Sequence, residues 1–244
     1  MRAFPQSHGQ DEDRNEDMSG PARCWAARLG AALGPALMIA VLAAGAPAAA
    51  EPIRLMAFGD SLTHGYGLPA GETFPEQLEA ALQARGLDVT VINAGNSGDT
   101  TAGGLARLAW ALADDPDAVL LELGANDGLR GLDPAATYEN LDAIMAKLKA
   151  EGLPVLVAGM LAPPNLGREY GETFNRVYPR LAEKYDAPFY PFFLDGVAME
   201  PALNQADGIH PNAEGVAEIV ARITPHVVRL LEAKSLAGSS AGGN

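Results

Sequence analysis

Apolar runs punctuate this chain at Ile53 to Phe58, Ala118 to Leu123, Pro154 to Met160 and, more weakly, Pro188 to Phe193, with a short β-branched run, Asp88 to Ala94, as a further strand, each separated from the next by a stretch of different periodicity. Near-continuous apolar runs of this length are strands covered on both faces, because a strand with one face in water would alternate. The stretches between them carry helical spacing, as in 74–85, where the apolar or small positions are Phe74, Leu78, Ala81 and Leu82. Further helices are expected over 100–113, 137–151, 173–184 and 213–231, with Asp114-Asp115-Pro116 ending the first and Gly152 the second. Strands alternating with helices specify an α/β fold, here a three-layer α/β/α sandwich around a parallel sheet of about five strands. No internal repeat is present.

The first 50 residues do not belong to that pattern. Met1 to Gly20 is polar and acidic, Arg23 and Arg28 follow, and then 22 uncharged residues, Leu29 to Ala50, end in Ala48-Ala49-Ala50. A basic region, an apolar region and an Ala-x-Ala site are the parts of a secretory signal peptide. A run of 22 is long enough to span a bilayer, but Pro35, Pro47 and its Ala/Gly content favour cleavage over anchoring. Residues 1–50 therefore read as an acidic leader with a signal peptide, 51–232 as one domain, and the Ala/Ser/Gly-rich 233–244 as a disordered tail. The expected product is exported, periplasmic or secreted, monomeric, and not stably inserted in a membrane.

Residues 1–50 hold 4 of the 17 basic and 5 of the 31 acidic residues, so 51–244 carry 13 basic and 26 acidic side chains, a net charge of −13. That balance argues against nucleic acid and against an anionic membrane surface as partners. The one cysteine, Cys24, precedes the apolar run, which leaves the domain with no disulfide, thiolate nucleophile or cysteine metal site.

Four loops fall at matching places, three after strands and one before the last helix. They offer Ser61, Gly98, Asn126, and the pair Asp207 and His210. A serine hydroxyl needs a neighbouring base and donors for the oxyanion before it acts as a nucleophile. Gly98 offers a backbone N–H with no side chain in its way, and Asn126 an amide. Asp207 and His210 are three apart, close enough for the carboxylate to hold Nδ1–H while Nε2 faces a serine. Gly59-Asp60-Ser61 taken by itself reads equally well as a turn.

The stretches Gly-Asp-Ser-Leu at 59–62, Asn93 to Thr100, Gly-Ala-Asn-Asp at 124–127 and Asp-Gly-Ile-His-Pro at 207–211 resemble the SGNH family of GDSL hydrolases. Leu-Glu-Leu-Gly-Ala-Asn-Asp-Gly-Leu-Arg-Gly at 121–131 is similar to its periplasmic thioesterase/lysophospholipase and arylesterase branch. The resemblance implies a flavodoxin-like sheet, Ser61 as nucleophile, His210 as base oriented by Asp207, and an oxyanion hole from the N–H groups of Ser61 and Gly98 and the Asn126 amide. It implies a substrate-facing loop over 128–134, and Ala125, where relatives often carry glycine, is expected to narrow the site.

The expected function is serine hydrolysis of small acyl esters, thioesters or lysolipids through an acyl-enzyme, with Leu129, Leu132, Leu161 and Pro163 along the acyl group. A carbohydrate O-deacetylase, an acyltransferase and a catalytically silent binding module stand as alternatives. Asp60 reads as a structural residue of the serine loop, His64 as a loop or substrate contact, Asp99 as a helix cap, and His226 as a packing or surface histidine. No Gly-x-Ser-x-Gly, Walker loop, HExxH or dinucleotide fingerprint is present, so no cofactor and no metal are expected.

Overall fold

The computed structural model describes residues 51–241; the expected leader and signal peptide lie outside the described residues. Strands β1 (Ile53–Gly59), β2 (Val89–Gly95), β3 (Ala118–Glu122), β4 (Val155–Ala158) and β5 (Phe189–Tyr190) form one parallel sheet in the order β2-β1-β3-β4-β5. Every residue of β3 and β4 is buried, as are Leu55 to Gly59 of β1. Cover on both faces is what their continuous apolar sequences require.

The helices are α1 (Ser61–His64), α2 (Phe74–Gln83), α3 (Thr101–Ala111), α4 (Ala125–Leu129), α5 (Pro134–Ala150), α6 (Arg168–Phe174), α7 (Val177–Tyr185) and α8 (Ala213–Ala241). α2 packs on α8, while α3, α5 and α7 pack in a row, giving the two helical layers of the sandwich. Their starts follow local chemistry. Glu76 accepts hydrogen bonds from the Thr73 N–H (3.2 Å) and hydroxyl (2.5 Å) ahead of α2. Asp133 accepts from the Ala135 N–H (2.9 Å) with Pro134 in the first turn, so α5 opens at 134 and not at 137.

Three expectations change here. The helix expected over 173–184 is two, broken at Asn175, whose Oδ1 accepts from the Ala162 N–H (2.8 Å) and so ties the loop after β4. Residues 125–129, expected as loop, close one helical turn as α4. The last helix continues past 231 to Ala241, into the stretch expected to be disordered. Ala233, Lys234, Ser235 and Leu236 offer no breaker, and Lys234 forms an ion pair with Asp117 at the foot of β3.

The sheet order sets the position of everything that follows. β1 is paired on both sides, and its last residue, Gly59, lies opposite Gly95 of β2 and Glu122 of β3. The chain leaves β1 toward one edge and returns to build β3 on the other side, so the loops after these strands part and leave a crevice at the carboxyl end of the sheet. Leu120 is fully buried in the middle of β3. Leu120→Ala should lower unfolding free energy by about 2–5 kcal/mol in urea titrations, with an unchanged slope; a loss under about 1 kcal/mol would contradict this packing.

Candidate active site

β1 ends against its neighbours so tightly that a Cβ on Gly59 would lie 2.1 Å from Thr63 Oγ1 and 2.4 Å from the Glu122 carbonyl oxygen. The next residue, Asp60, caps α1 by accepting from the Leu62 N–H (3.1 Å), which sets Ser61 as the first residue of that turn. Ser61 Oγ then lies 2.9 Å from His210 Nε2, and His210 Nδ1 lies 2.6 Å from Asp207 Oδ2. Asp207 also accepts from the N–H groups of Ile209 (2.9 Å) and His210 (3.0 Å) through Oδ1. Its hydrogen bonds from the His210 ring and backbone hold its pKa down to about 2, so it is a carboxylate and can only accept. The Nδ1 proton therefore sits between them, and Nε2 is free to accept from Ser61.

Two further contacts hold this imidazole. The Tyr66 ring lies 4.6 Å from the His210 ring, tilted by 38°. Gln205 donates to the Tyr66 (2.7 Å) and Pro211 (2.9 Å) carbonyls, joining the histidine loop to the chain after α1.

Of the expected donors, Asn126 lines the same cavity as Ser61, and Gly98 lies against Arg130, just after α4. Neither the Ser61 nor the Gly98 N–H donates to an acceptor among the described residues. Gly98 has φ +86°, a conformation that glycine adopts without cost. The Asn126 amide donates to Asp60 Oδ2 (3.2 Å), which leaves its second N–H hydrogen available. The neighbouring Asp127 fixes α4 from below, accepting from the Thr101 N–H (2.8 Å), the Thr101 hydroxyl (2.6 Å) and the Thr137 hydroxyl (3.3 Å).

Beneath the serine turn lie two buried acids. Burial pushes Asp60 up to about 6, against the opposing pull of its bonds from Leu62 and Asn126. Burial, with the Asp60 charge adding to it, pushes Glu122 well above the ordinary glutamate range. Glu122 Oε2 accepts from the Thr63 hydroxyl (2.7 Å) and the Asp60 N–H (3.4 Å), while Oε1 has no partner among the described residues.

A cavity of about 330 Å³ opens beside Ser61 and Asn126, walled by Leu129, Leu161, Pro163, Met199 and Ile209 among others. Leu132, expected there, does not line it; its backbone carbonyl accepts from the Tyr170 hydroxyl (2.8 Å) instead. Ala125 also lines it. A larger cavity of about 590 Å³ is bounded by Val155, Pro188 and Leu230, at the amino ends of β4 and β5 and so at the opposite end of the sheet from Ser61.

The family match decides what these loops belong to: the GDSL-like Lipase/Acylhydrolase family matches residues 57–217, from β1 into α8 and across all four loops. The chain belongs to that family. An arylesterase of Vibrio mimicus is 44% identical to it over 173 residues, 69% of this chain and 86% of that protein. The thioesterase 1/protease 1/lysophospholipase L1 of Escherichia coli K12 is 42% identical over 167 residues, 68% of this chain and 79% of that protein. Among solved structures, AlinE4, an SGNH-hydrolase family esterase, matches with a TM-score of 0.64 at 48% identity, covering 75% of this chain and 99% of that one.

The remaining candidates sort themselves. His64 Nδ1 lies 2.7 Å from Ser97 Oγ, and His226 packs edge-on against Tyr190 with ring centroids 5.0 Å apart. Asp99 is not the cap of α3, since Thr100 takes that place by accepting from Gly103; Asp99 pairs with Arg107, whose guanidinium also donates to the Gly59 (2.7 Å) and Ala94 (2.9 Å) carbonyls. Met199 and Ile209 went unmarked because nothing local tells an apolar loop residue that walls a cavity from one facing water. Glu122 was hidden inside an apolar run. Among the described residues no group of His, Cys, Asp or Glu is arranged to hold a metal ion, and no helix is long and apolar enough to cross a membrane.

Folding raises the proton affinity of both Asp60 and Glu122, so the folded protein keeps protons that the unfolded chain gives up. Stability therefore falls as pH rises above the ordinary values, 3.8 and 4.5, toward the raised ones. Glu122→Gln keeps the shape and removes the charge that burial penalises. It should raise the melting temperature at pH 8 by about 3 °C, the effect of roughly 1 kcal/mol in a domain of this size, and by less at pH 5. An equal or greater gain at pH 5 would contradict this reading of the pair.

Proposed function

We propose that this chain, a serine-type acyl ester hydrolase by family, cleaves small acyl esters and thioesters through an acyl-enzyme on Ser61. The observation that carries the reading is the unbroken hydrogen-bond chain from Ser61 Oγ through the His210 ring to Asp207. As Oγ attacks the carbonyl carbon, its proton passes to His210 Nε2, and Asp207 stabilises the imidazolium that forms. The carbonyl oxygen becomes an oxyanion and takes hydrogen bonds from the Ser61 and Gly98 N–H groups and the Asn126 amide. His210 returns the proton to the departing alkoxide or thiolate. Water, deprotonated by the same imidazole, then releases the acid and restores Ser61. The apolar walls of the 330 Å³ cavity suit an acyl chain, and their lack of charge disfavours sugar hydroxyls.

The names of the relatives, an arylesterase and a thioesterase/lysophospholipase, support the same substrate class. Export belongs to this reading, supported by Arg23, Arg28 and the uncharged run that ends at Ala50. Cleavage after Ala50 would leave β1, which begins at Ile53, whole. Intact mass of the protein secreted by a bacterial host should show Glu51 as the first residue; retention of 29–50 in a membrane fraction would refute export with cleavage.

Ser61→Ala should fold, fail to take a fluorophosphonate label, and lose nearly all hydrolysis of p-nitrophenyl esters. Activity close to that of the parent would remove Ser61 from the reaction. Asn126→Ala should lower kcat by about 10²–10³, the usual cost of one oxyanion donor, with KM little changed. A normal kcat with a lowered melting temperature would make Asn126 a residue of the turn alone. The rate should also fall on the acid side of neutrality, because the base must be neutral and because Asp60, which holds Asn126, gains its proton near pH 6. A kcat flat down to roughly pH 5, below the reference value for an imidazole, would contradict a histidine base.

A further inference from the structure

Arg130 sits just after α4 with its guanidinium against the Gly98 loop and the Asn126 side chain. Its Nη2 lies 2.9 Å from the Gly98 carbonyl oxygen and 3.4 Å from Asn126 Oδ1. We propose that Arg130 is a positioning residue for the oxyanion hole, holding the Gly98 loop and the Asn126 amide in one fork of donors. The proposal rests on Gly98 and Asn126 being the oxyanion donors described above.

Three observations carry it. First, a primary amide has two faces of similar shape and must be told which way to point. Asn126 is told twice: the Asp60 carboxylate takes its N–H at 3.2 Å, and the Arg130 guanidinium faces its carbonyl oxygen. A carboxylate can only accept and a guanidinium can only donate, so both impose the same orientation. A positive group on the carbonyl oxygen also draws electrons from the amide nitrogen, which makes the remaining N–H a stronger donor.

Second, the Gly98 loop is braced from within by the Asp99 N–H on the Asn96 carbonyl (3.1 Å) and the Asn96 amide on Asp99 (2.7 Å). The hydrogen bond that Arg130 donates to the Gly98 carbonyl ties this exposed turn outward to the end of α4, the element that carries Asn126. The N–H of interest belongs to the peptide before that carbonyl, so Arg130 acts by fixing where the glycine sits.

Third, Arg130 is exposed and has no ion-pair partner among the described residues, although the domain is strongly acidic. An arginine placed for surface charge alone would be expected to meet a carboxylate; both of its hydrogen-bond acceptors here are neutral carbonyls on the two donors. Both contacts come from Nη2, whose N–H bonds lie fixed in the guanidinium plane; lysine would keep the charge, but the N–H bonds of its ammonium turn freely.

The test uses the purified protein, a neutral p-nitrophenyl butyrate substrate, and the variants Arg130→Met, Arg130→Lys, Asn126→Ala and the Arg130→Met/Asn126→Ala double change. A neutral ester removes any contribution from binding an anionic headgroup. Arg130→Met should lower kcat roughly 10-fold, the scale of losing a hydrogen bond to a charged group, with KM within about twofold and the melting temperature nearly unchanged. Arg130→Lys should recover part of the loss. In the Asn126→Ala background the same Arg130→Met change should cost less than about threefold, because residues that act as a unit are not additive. A parental kcat in Arg130→Met, a change in KM alone, or full additivity with Asn126→Ala would each overturn the clamp while leaving the oxyanion donors standing. A parental kcat in Asn126→Ala would instead remove the donor reading, and the clamp with it.

Discussion

The pairing of β1 on both of its edges is the constraint from which the site follows. With β2 on one side and β3 on the other, the ends of three strands lie level at Gly59, Gly95 and Glu122. The chain then needs two, three and four residues beyond those points to reach Ser61, Gly98 and Asn126. No long excursion is required, so little chain entropy opposes the arrangement. Gly59 is the joint at which this is felt, since β1 and β3 approach too closely there for any side chain.

What the crevice holds in place is a set of polar contacts with few substitutes. The Asp60 carboxyl touches the serine turn through Leu62 and α4 through Asn126, and it is fully buried. Glu122 below it leaves one oxygen without a partner. Two acids crowded under a helix start cost stability, and an apolar pair of the same shape would pack more favourably. The site thus carries its own electrostatic strain, drawn against the large apolar core above and below the sheet.

Much of this was legible before any coordinates. β-branched and aliphatic runs such as Val119-Leu120-Leu121 have one reading when helices flank them, and the three-residue spacing of Asp207 and His210 allowed their bond. The four loops were placed because each follows a strand or precedes a helix. Other parts depend on contacts across the fold and had no local signature. Asp99 and Thr100 are both able to cap a helix, and only the position of Arg107 assigns one to the cap and the other to an ion pair. Leu129 and Leu132 are three apart, yet one walls the cavity and the other does not, because α4 ends at Leu129 and the chain turns at Gly131, where φ is +63°. The extension of α8 past Leu231 was masked by a composition that suits a tail as well as a helix.

The hydrogen bond between Ser61 and His210 joins residues 149 positions apart. Its two halves sit near the first strand and just before the last helix, with the whole sheet between them in sequence. As the chain is made from its amino end, β1, β2 and β3 precede the imidazole. Contacts of such separation close late, since the intervening chain must first be ordered. A chain of this order completes the Ser61 hydroxyl early and the imidazole that contacts it late, so a partly made molecule carries that hydroxyl without its hydrogen-bond partner.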